Sequence, residues 1–291
     1  MKISRKTKWC SAALAILLCL AAAGHSVYIS SHSLQTSYYT ISSPKLLQPF
    51  RIVLLADLHN NTFGPDNRDL ISAVTVEDPD LILMVGDMLN ADQSDTTLVT
   101  DLIRQLSKTT PVYCSYGNHE LEHEASWDSN LSLLFQQAGA TMLESDYLDL
   151  EANGQPLRLG GIYGYCLPEK YLETGEARQD QCDFINQLQN TRRYTILLCH
   201  MPVAWLINDG LNEWSVDCVF SGHAHGGQIR LPLLGGLYAP DQGWFPGTMK
   251  GVYSSSDGMR NLVLSQGLGT TETRFRFNNI PEVVVVDLIP P

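Results

Sequence analysis

Residues 51–60 read RIVLLADLHN, and residues 81–90 read LILMVGDMLN. Each opens on a short apolar run and closes on polar residues able to hold a cation or carry a proton. Short apolar runs bounded by turn formers read as strands buried on both faces. Between them, 66–76 has helical character. Residues 95–107 place Leu98, Leu102, Ile103 and Leu106 on one helical face. PVYCSY (111–116) supplies a third strand, and 127–138 a further helix. This β-α-β-α-β order implies parallel strands covered by helices.

The theme recurs downstream. RLGGIYGY (158–165) reads as a strand, 179–190 as a helix, and YTILLC (194–199) and VDCVFSG (216–222) as strands. Strands then predominate in GQIRLP, NLVLSQG and PEVVVVDLI (281–289). No linker interrupts 50–291, so this region reads as one α/β domain built on two packed sheets with outer helices.

Composition narrows the class. Of 291 residues, 44% are hydrophobic and 17% charged, which excludes a disordered chain. The glycines and prolines follow no period, so repeat arrays are excluded. Residues 1–50 hold Lys2, Arg5, Lys6, Lys8, Lys45 and no acid. Subtracting those five charges from the total of −12 leaves −17 on residues 51–291. So acidic a domain is a poor general nucleic-acid binder, and no nucleic-acid partner is expected. The seven cysteines lack metal-knuckle spacing, and no disulfide framework is expected. Cys114, Cys199 and Cys218 lie in the apolar strand runs, where a thiol acts as a small hydrophobe.

Residues 9–24 read WCSAALAILLCLAAAG behind a basic flank. Taken as Trp9–Ile29, the run is long enough to cross about 30 Å of hydrocarbon as an uncleaved anchor. The alternative is a signal peptide cut after the small residues Ala21 and Ala23, which would leave a secreted protein. The basic flank keeps the N-terminus cytoplasmic in either case. The expectation is a single-pass cell-membrane protein with residues 1–30 as the anchor. Residues 31–49 would then be a linker, a stalk or edge strand, and residues 50–291 an extracytoplasmic domain.

Five polar blocks each follow an apolar run: ADLHN with Asp57 and His59, VGDMLN with Asp87 and Asn90, YGNHE with Asn118 and His119, CHMP with His200, and SGHAHGG with His223 and His225. Ligands bind at the carboxyl ends of strands in open α/β sheets, so five loops would aim these side chains at one place. Each of the first four blocks alone is more often a turn or a satisfied histidine, and the glycine-flanked H-x-H is the most specific single piece. Together they hold five of the eight histidines, in order, at strand ends. Carboxylates and amides mixed with neutral imidazoles suit Mn, Fe, Zn or Co. In an extended segment Asp57 and His59, or His223 and His225, would share a face and one ion. A solitary Asp87 could bridge two ions. Such a pair binds a phosphoryl group, activates water and stabilises in-line displacement.

The series D-x-H, G-D-x-x-N, G-N-H-E, H and G-H-x-H resembles the calcineurin-like metallophosphoesterase superfamily over about residues 50–289. GHAHGGQIRLP, LGTT and RFNNIPEVVVV resemble its membrane-associated bacterial branch, similar to UDP-2,3-diacylglucosamine pyrophosphatase-like enzymes. The resemblance implies a four-layer α/β/β/α sandwich with two mixed β-sheets and a dinuclear centre for phosphoester hydrolysis. It implies that Asp57, His59 and His225 hold one ion, that Asn118, His200 and His223 hold the other, and that Asp87 bridges them. His119 would be the catalytic residue facing the phosphate, as general acid or as stabiliser of the transition state. Asn90 departs from the aspartate many members place there as a partner for that histidine. Glu120 reads as at most a support of the centre, and His123 as a surface residue.

The implied substrate is a phosphodiester, pyrophosphate or phosphomonoester, with a lipid or nucleotide-linked compound at the membrane as one form. GGLYAPDQGWFPG (235–247) is either a self-packed loop or a receiver for an acyl chain. A non-catalytic scaffold and a nuclease are the competing readings. The complete ligand set counts against the first, and the acidic balance against the second.

Overall fold

The computed structural model describes residues 5–270 and 275–291; Lys2 of the basic flank and Thr271 of the LGTT stretch lie outside the described residues. Two six-stranded mixed sheets form the centre. The first runs Gln35–Ser42, Glu282–Ile289, Phe50–Leu55, Leu81–Val85, Val112–Ser115 and Ala140–Met142. The last four of these are parallel, while Glu282–Ile289 is antiparallel to Phe50–Leu55 and parallel to Gln35–Ser42. The second runs Gly251–Ser254, Asn261–Leu264, Cys218–Ser221, Tyr194–Cys199, Gln155–Ile162 and Asp146–Ala152, parallel in the middle and antiparallel at both edges.

Strand alternation makes the layers. Ile52, Leu54, Leu83 and Val85 meet Leu157, Leu159, Ile196 and Leu198 in the core between the sheets. Their neighbours Val53, Leu55, Ile82 and Met84 face the helices Arg68–Thr75, Thr97–Leu106 and Leu131–Ala138. The helix Gln179–Gln189 covers the outer face of the second sheet through Phe184, Ile185 and Leu188. The result is α/β/β/α. Burying each such side chain contributes about 1.5–3 kcal/mol.

Several elements differ from the sequence reading. The helix expected over 127–138 begins only at Leu131, and a helix the sequence reading did not foresee, Asn118–Trp127, ends before it at Asp128, which is left-handed at φ 47°. The latter helix is acidic and weakly amphipathic, so apolar periodicity gave no sign of it. GQIRLP narrows to the two-residue strand Arg230–Leu231, because the preceding glycines turn the chain. Residues 35–42, read as stalk or edge strand, form the edge of the first sheet.

One helix, Arg5–His32, precedes the sheets. Its 20-residue segment Ala13–His32 is long and apolar enough to cross a membrane. Its C-terminal end is tied to the domain. The Ser26 hydroxyl accepts from the Asn278 N–H at 3.0 Å, and the buried Ser30 hydroxyl accepts from the Asn279 N–H at 3.1 Å. Among the described residues the cysteines are free, and Cys114, Cys166, Cys182, Cys199 and Cys218 are buried.

Candidate metal centre

The strands Phe50–Leu55 and Leu81–Val85 run parallel, so their following loops lie side by side. Asp57 N–H donates to the Gly86 carbonyl, His59 N–H to Asp87 and Asn60 N–H to Met88. Gly86 adopts φ 71°, and a Cβ there would come within 2.6 Å of Gly117 N and 2.7 Å of His200 Nδ1. Only glycine lets the three loops approach this closely.

Asp57, His59, Asp87, His223 and His225 all have positive φ, between 46° and 68°. This corrects the extended geometry expected for the D-x-H and H-x-H pairs. Residues outside glycine rarely adopt this conformation, and such strain persists where surrounding contacts impose it. Here the contacts are visible. His223 N–H donates to Asp57 Oδ1 and His119 N–H to Asp87 Oδ1, both at 2.9 Å.

Ligand atoms of Asp57, His59 and His225 lie within 4.8 Å of one another, as do those of Asp87, His200 and His223, and those of His59, Asp87 and His119. Asn118 opens the helix beside His119. Five buried atoms on these residues lack a hydrogen-bond partner: Asp57 Oδ2, His59 Nε2, Asn118 Oδ1, His200 Nε2 and His225 Nδ1. Leaving one such atom unsatisfied costs about 1–3 kcal/mol. Each can donate a lone pair to a divalent ion, His200 Nε2 once it gives up the proton it shares with Asp87 Oδ2 at 3.2 Å, so the residues fit a metal centre.

Backbone and amide contacts fix the rings. His200 Nδ1 lies 2.8 Å from the Val85 carbonyl. A carbonyl only accepts, so Nδ1 carries hydrogen. Asn90 Nδ2 donates to the His59 carbonyl, which turns Asn90 Oδ1 toward His59 Nδ1 at 3.0 Å. Asn90, where the sequence departs from the family's usual aspartate, thus holds His59. His119 Nδ1 instead accepts from the Ala91 N–H at 3.1 Å, so the neutral ring carries its proton on Nε2.

Electrostatics follow from burial and crowding. Burial lowers His59 to about 4, with Asp87 opposing. Burial, aided by His59 and Arg276, drives His225 well below its ordinary value. Burial would lower His200 too, but Asp87 and Asp57 outweigh it and push it up to about 10. Burial would raise Asp87, but His200, His59 and His119 hold it below the usual carboxylate range. Burial raises Asp57, with His200 opposing.

Supporting residues were partly missed by sequence reasoning. Glu120 is buried and accepts from the backbone N–H groups of Asp87, Met88 and Gly117, each at 2.8 Å, clasping two loops. His123 is buried, contrary to the surface expectation, because the unforeseen helix turns it inward onto Ser129 Oγ at 2.9 Å. Asp241 contacts His223 Nε2 at 3.1 Å and accepts from the Tyr165 hydroxyl at 3.2 Å. Its Pro-Asp-Gln-Gly setting signalled only a turn. Arg276 is buried beside Asp57, donates to the Gln266 and Gly269 carbonyls, and is lowered by burial to about 10.

The family model described as calcineurin-like phosphoesterase matches residues 50–227. The uncharacterized metallophosphoesterase YkuE of Bacillus subtilis is 29% identical over 275 residues, covering 91% of this chain and 89% of its own. The phosphodiesterase YaeI of Escherichia coli is 26% identical over 250 residues, covering 83% of each chain. A 5′-nucleotidase precursor from Thermus thermophilus shares the fold, with TM-score 0.51 at 13% identity, over 83% of this chain and 54% of that one. The match extends over more than half of the residues, and the relatives align nearly end to end: the chain belongs to the calcineurin-like phosphoesterase family and is a metal-dependent phosphoester hydrolase.

Proposed function

We propose that two divalent cations, drawn from Mn, Fe, Zn or Co, are held by Asp57, His59 and His225 on one side and Asn118, His200 and His223 on the other. Asp87 lies between them. The observation that carries this reading is the group of five buried, unpartnered ligand atoms on the candidate residues. When bound, such a pair polarises the phosphoryl oxygens and lowers the pKa of water. The protein supplies the rest. Asp57 and Asp87 bring negative charge, each fixed through one oxygen by a backbone N–H. His119, neutral with its hydrogen on Nε2, would donate a hydrogen bond to the phosphoryl or departing oxygen and stabilise the charge that develops there. Asn90 and the Val85 carbonyl set the tautomers of His59 and His200, and Asp241 orients His223.

The preferred substrate is a phosphodiester or pyrophosphate, supported by the similarity to a phosphodiesterase, and phosphomonoesters are the second choice. The apolar helix supports an anchor that holds the domain outside the cytoplasm, where a lipid or nucleotide-linked substrate is at hand. The test is hydrolysis of bis-p-nitrophenyl phosphate and p-nitrophenyl phosphate with manganese. Wild type should be faster on the diester, and Asp87→Ala should lose both activities. Equal rates for wild type and variant would remove the proposal.

A further inference from the structure

The helix end and the mouth of the metal centre share one wall. A cleft of about 290 Å³ lies beside His59 and Asn90, bordered by Ser30 and Ser31 of the helix and by Phe275 and Arg276. On the other side of Phe275 lies an apolar cleft of about 230 Å³, lined by Ile229, Leu237, Tyr238 and Trp244. Segment 275–279 joins the two regions. Asn278 and Asn279 bind Ser26 and Ser30 of the helix, and Phe277 pairs with Ile229. The Asn279 side chain also donates to the carbonyl of His225 at 2.7 Å.

This face carries an unusual surface. Leu234 is 64% exposed, Trp244 69%, Phe245 57% and Phe275 54%, and Leu233 projects fully into solvent. Trp244 and Phe275 line the same apolar cleft, Phe245 follows Trp244, and Leu233 and Leu234 stand on the turn between Arg230–Leu231 and Gly235–Gly236; exposed apolar side chains of this size mark an interaction surface. The helix decides what meets them. A 20-residue span rises about 30 Å, which matches the hydrocarbon thickness. Ser26 and Ser30 therefore sit near the membrane boundary. The domain surface bonded to them is held at the same level, and Gln35 begins the first sheet only a few residues later. Tryptophan and phenylalanine beside leucine are the side chains that settle at that boundary.

We propose that the rim formed by Leu233, Leu234, Trp244, Phe245 and Phe275 inserts into the lipid surface, so that the metal centre opens at the bilayer. The proposal rests on the anchor reading above, and adds which face of the domain meets lipid and through which residues. It places substrate entry at the membrane boundary, between the helix end and Phe275.

The test is tryptophan fluorescence of the full chain in vesicles whose acyl chains are brominated near the headgroup. Comparison with Trp9→Phe, Trp127→Phe and Trp244→Phe isolates the anchor, a solvent-exposed site on the helix Asn118–Trp127, and the rim. The expected result is that Trp9 and Trp244 each contribute a quenched component while Trp127 does not. Leu234→Trp, at an exposed position that tolerates the larger ring, should add a further quenched component. If Trp9 is quenched but Trp244 and the tryptophan introduced at 234 are not, the anchor stands and the docking proposal is overturned. If none is quenched, both fall. A blue-shifted but unquenched Trp244 would mean that a protein or a second copy covers the rim, which also overturns it.

Discussion

Asn90 and His59 are bonded to each other twice, through Asn90 Oδ1 to His59 Nδ1 and through Asn90 Nδ2 to the His59 carbonyl, both at 3.0 Å. The pair is buried, so neither bond is shared with bulk water. The arrangement leaves His59 Nε2 free as a lone-pair donor. Asn90→Ala removes the constraint on ring and tautomer and should weaken manganese binding by about 10–100-fold. Titration calorimetry on the purified variant measures this, and an unchanged affinity would show that Asn90 does not position His59.

Glu120 joins the loop after Leu81–Val85 to the loop after Val112–Ser115 by accepting three buried N–H groups. Glu120→Ala leaves those donors without partners and should cost about 3 kcal/mol or more. Glu120→Gln, which keeps an acceptor oxygen, should cost less. Urea unfolding of the metal-free proteins gives the comparison; coincident midpoints for all three would remove Glu120 from this role.

His200 carries a linked proton. Its value in the metal-free fold is raised to about 10, against about 6.5 in an unfolded chain. The stabilisation from that proton is complete below pH about 6.5 and is lost as pH rises toward about 10. At neutral pH a metal must displace it, so loading should release about one proton per chain from this residue. His59 and His225 are lowered and already neutral, so they release none. Manganese affinity should therefore rise with pH across the neutral range. Calorimetry in buffers of different ionisation enthalpy reads the released proton, and buffer-independent heats would contradict it.

His119 presents Nε2–H because the Ala91 N–H occupies Nδ1. His119→Ala should reduce turnover by about 10²–10³-fold on diesters with poor leaving groups. The loss should be smaller for p-nitrophenolate, which spreads its charge away from the departing oxygen. Metal content should not change. Equal losses on both substrate types would mean that His119 does not stabilise the departing oxygen.

The strands and their order were legible because burial on both faces demands continuous apolar runs such as ILMV and ILLC. The polar blocks stood out for the same reason, as abrupt ends to those runs. What escaped was governed by other physics. Left-handed turns at Asp57 and His223 carry no composition signal and depend on contacts made across the fold. The helix Asn118–Trp127 has too narrow an apolar face to show a period, and with it the burial of His123 was hidden. Asp241 and Arg276 are single polar residues whose partners are distant in sequence. Docking of Ser26 and Ser30 rests on two hydroxyls in an otherwise apolar helix.

The most direct measurement is manganese bound per chain after loading and desalting, made on wild type and on Asp87→Ala. The account predicts about two ions on wild type and a clear loss on the variant, because Asp87 lies within reach of both histidine groups. Less than one ion per wild-type chain, or equal content in the two proteins, would contradict it.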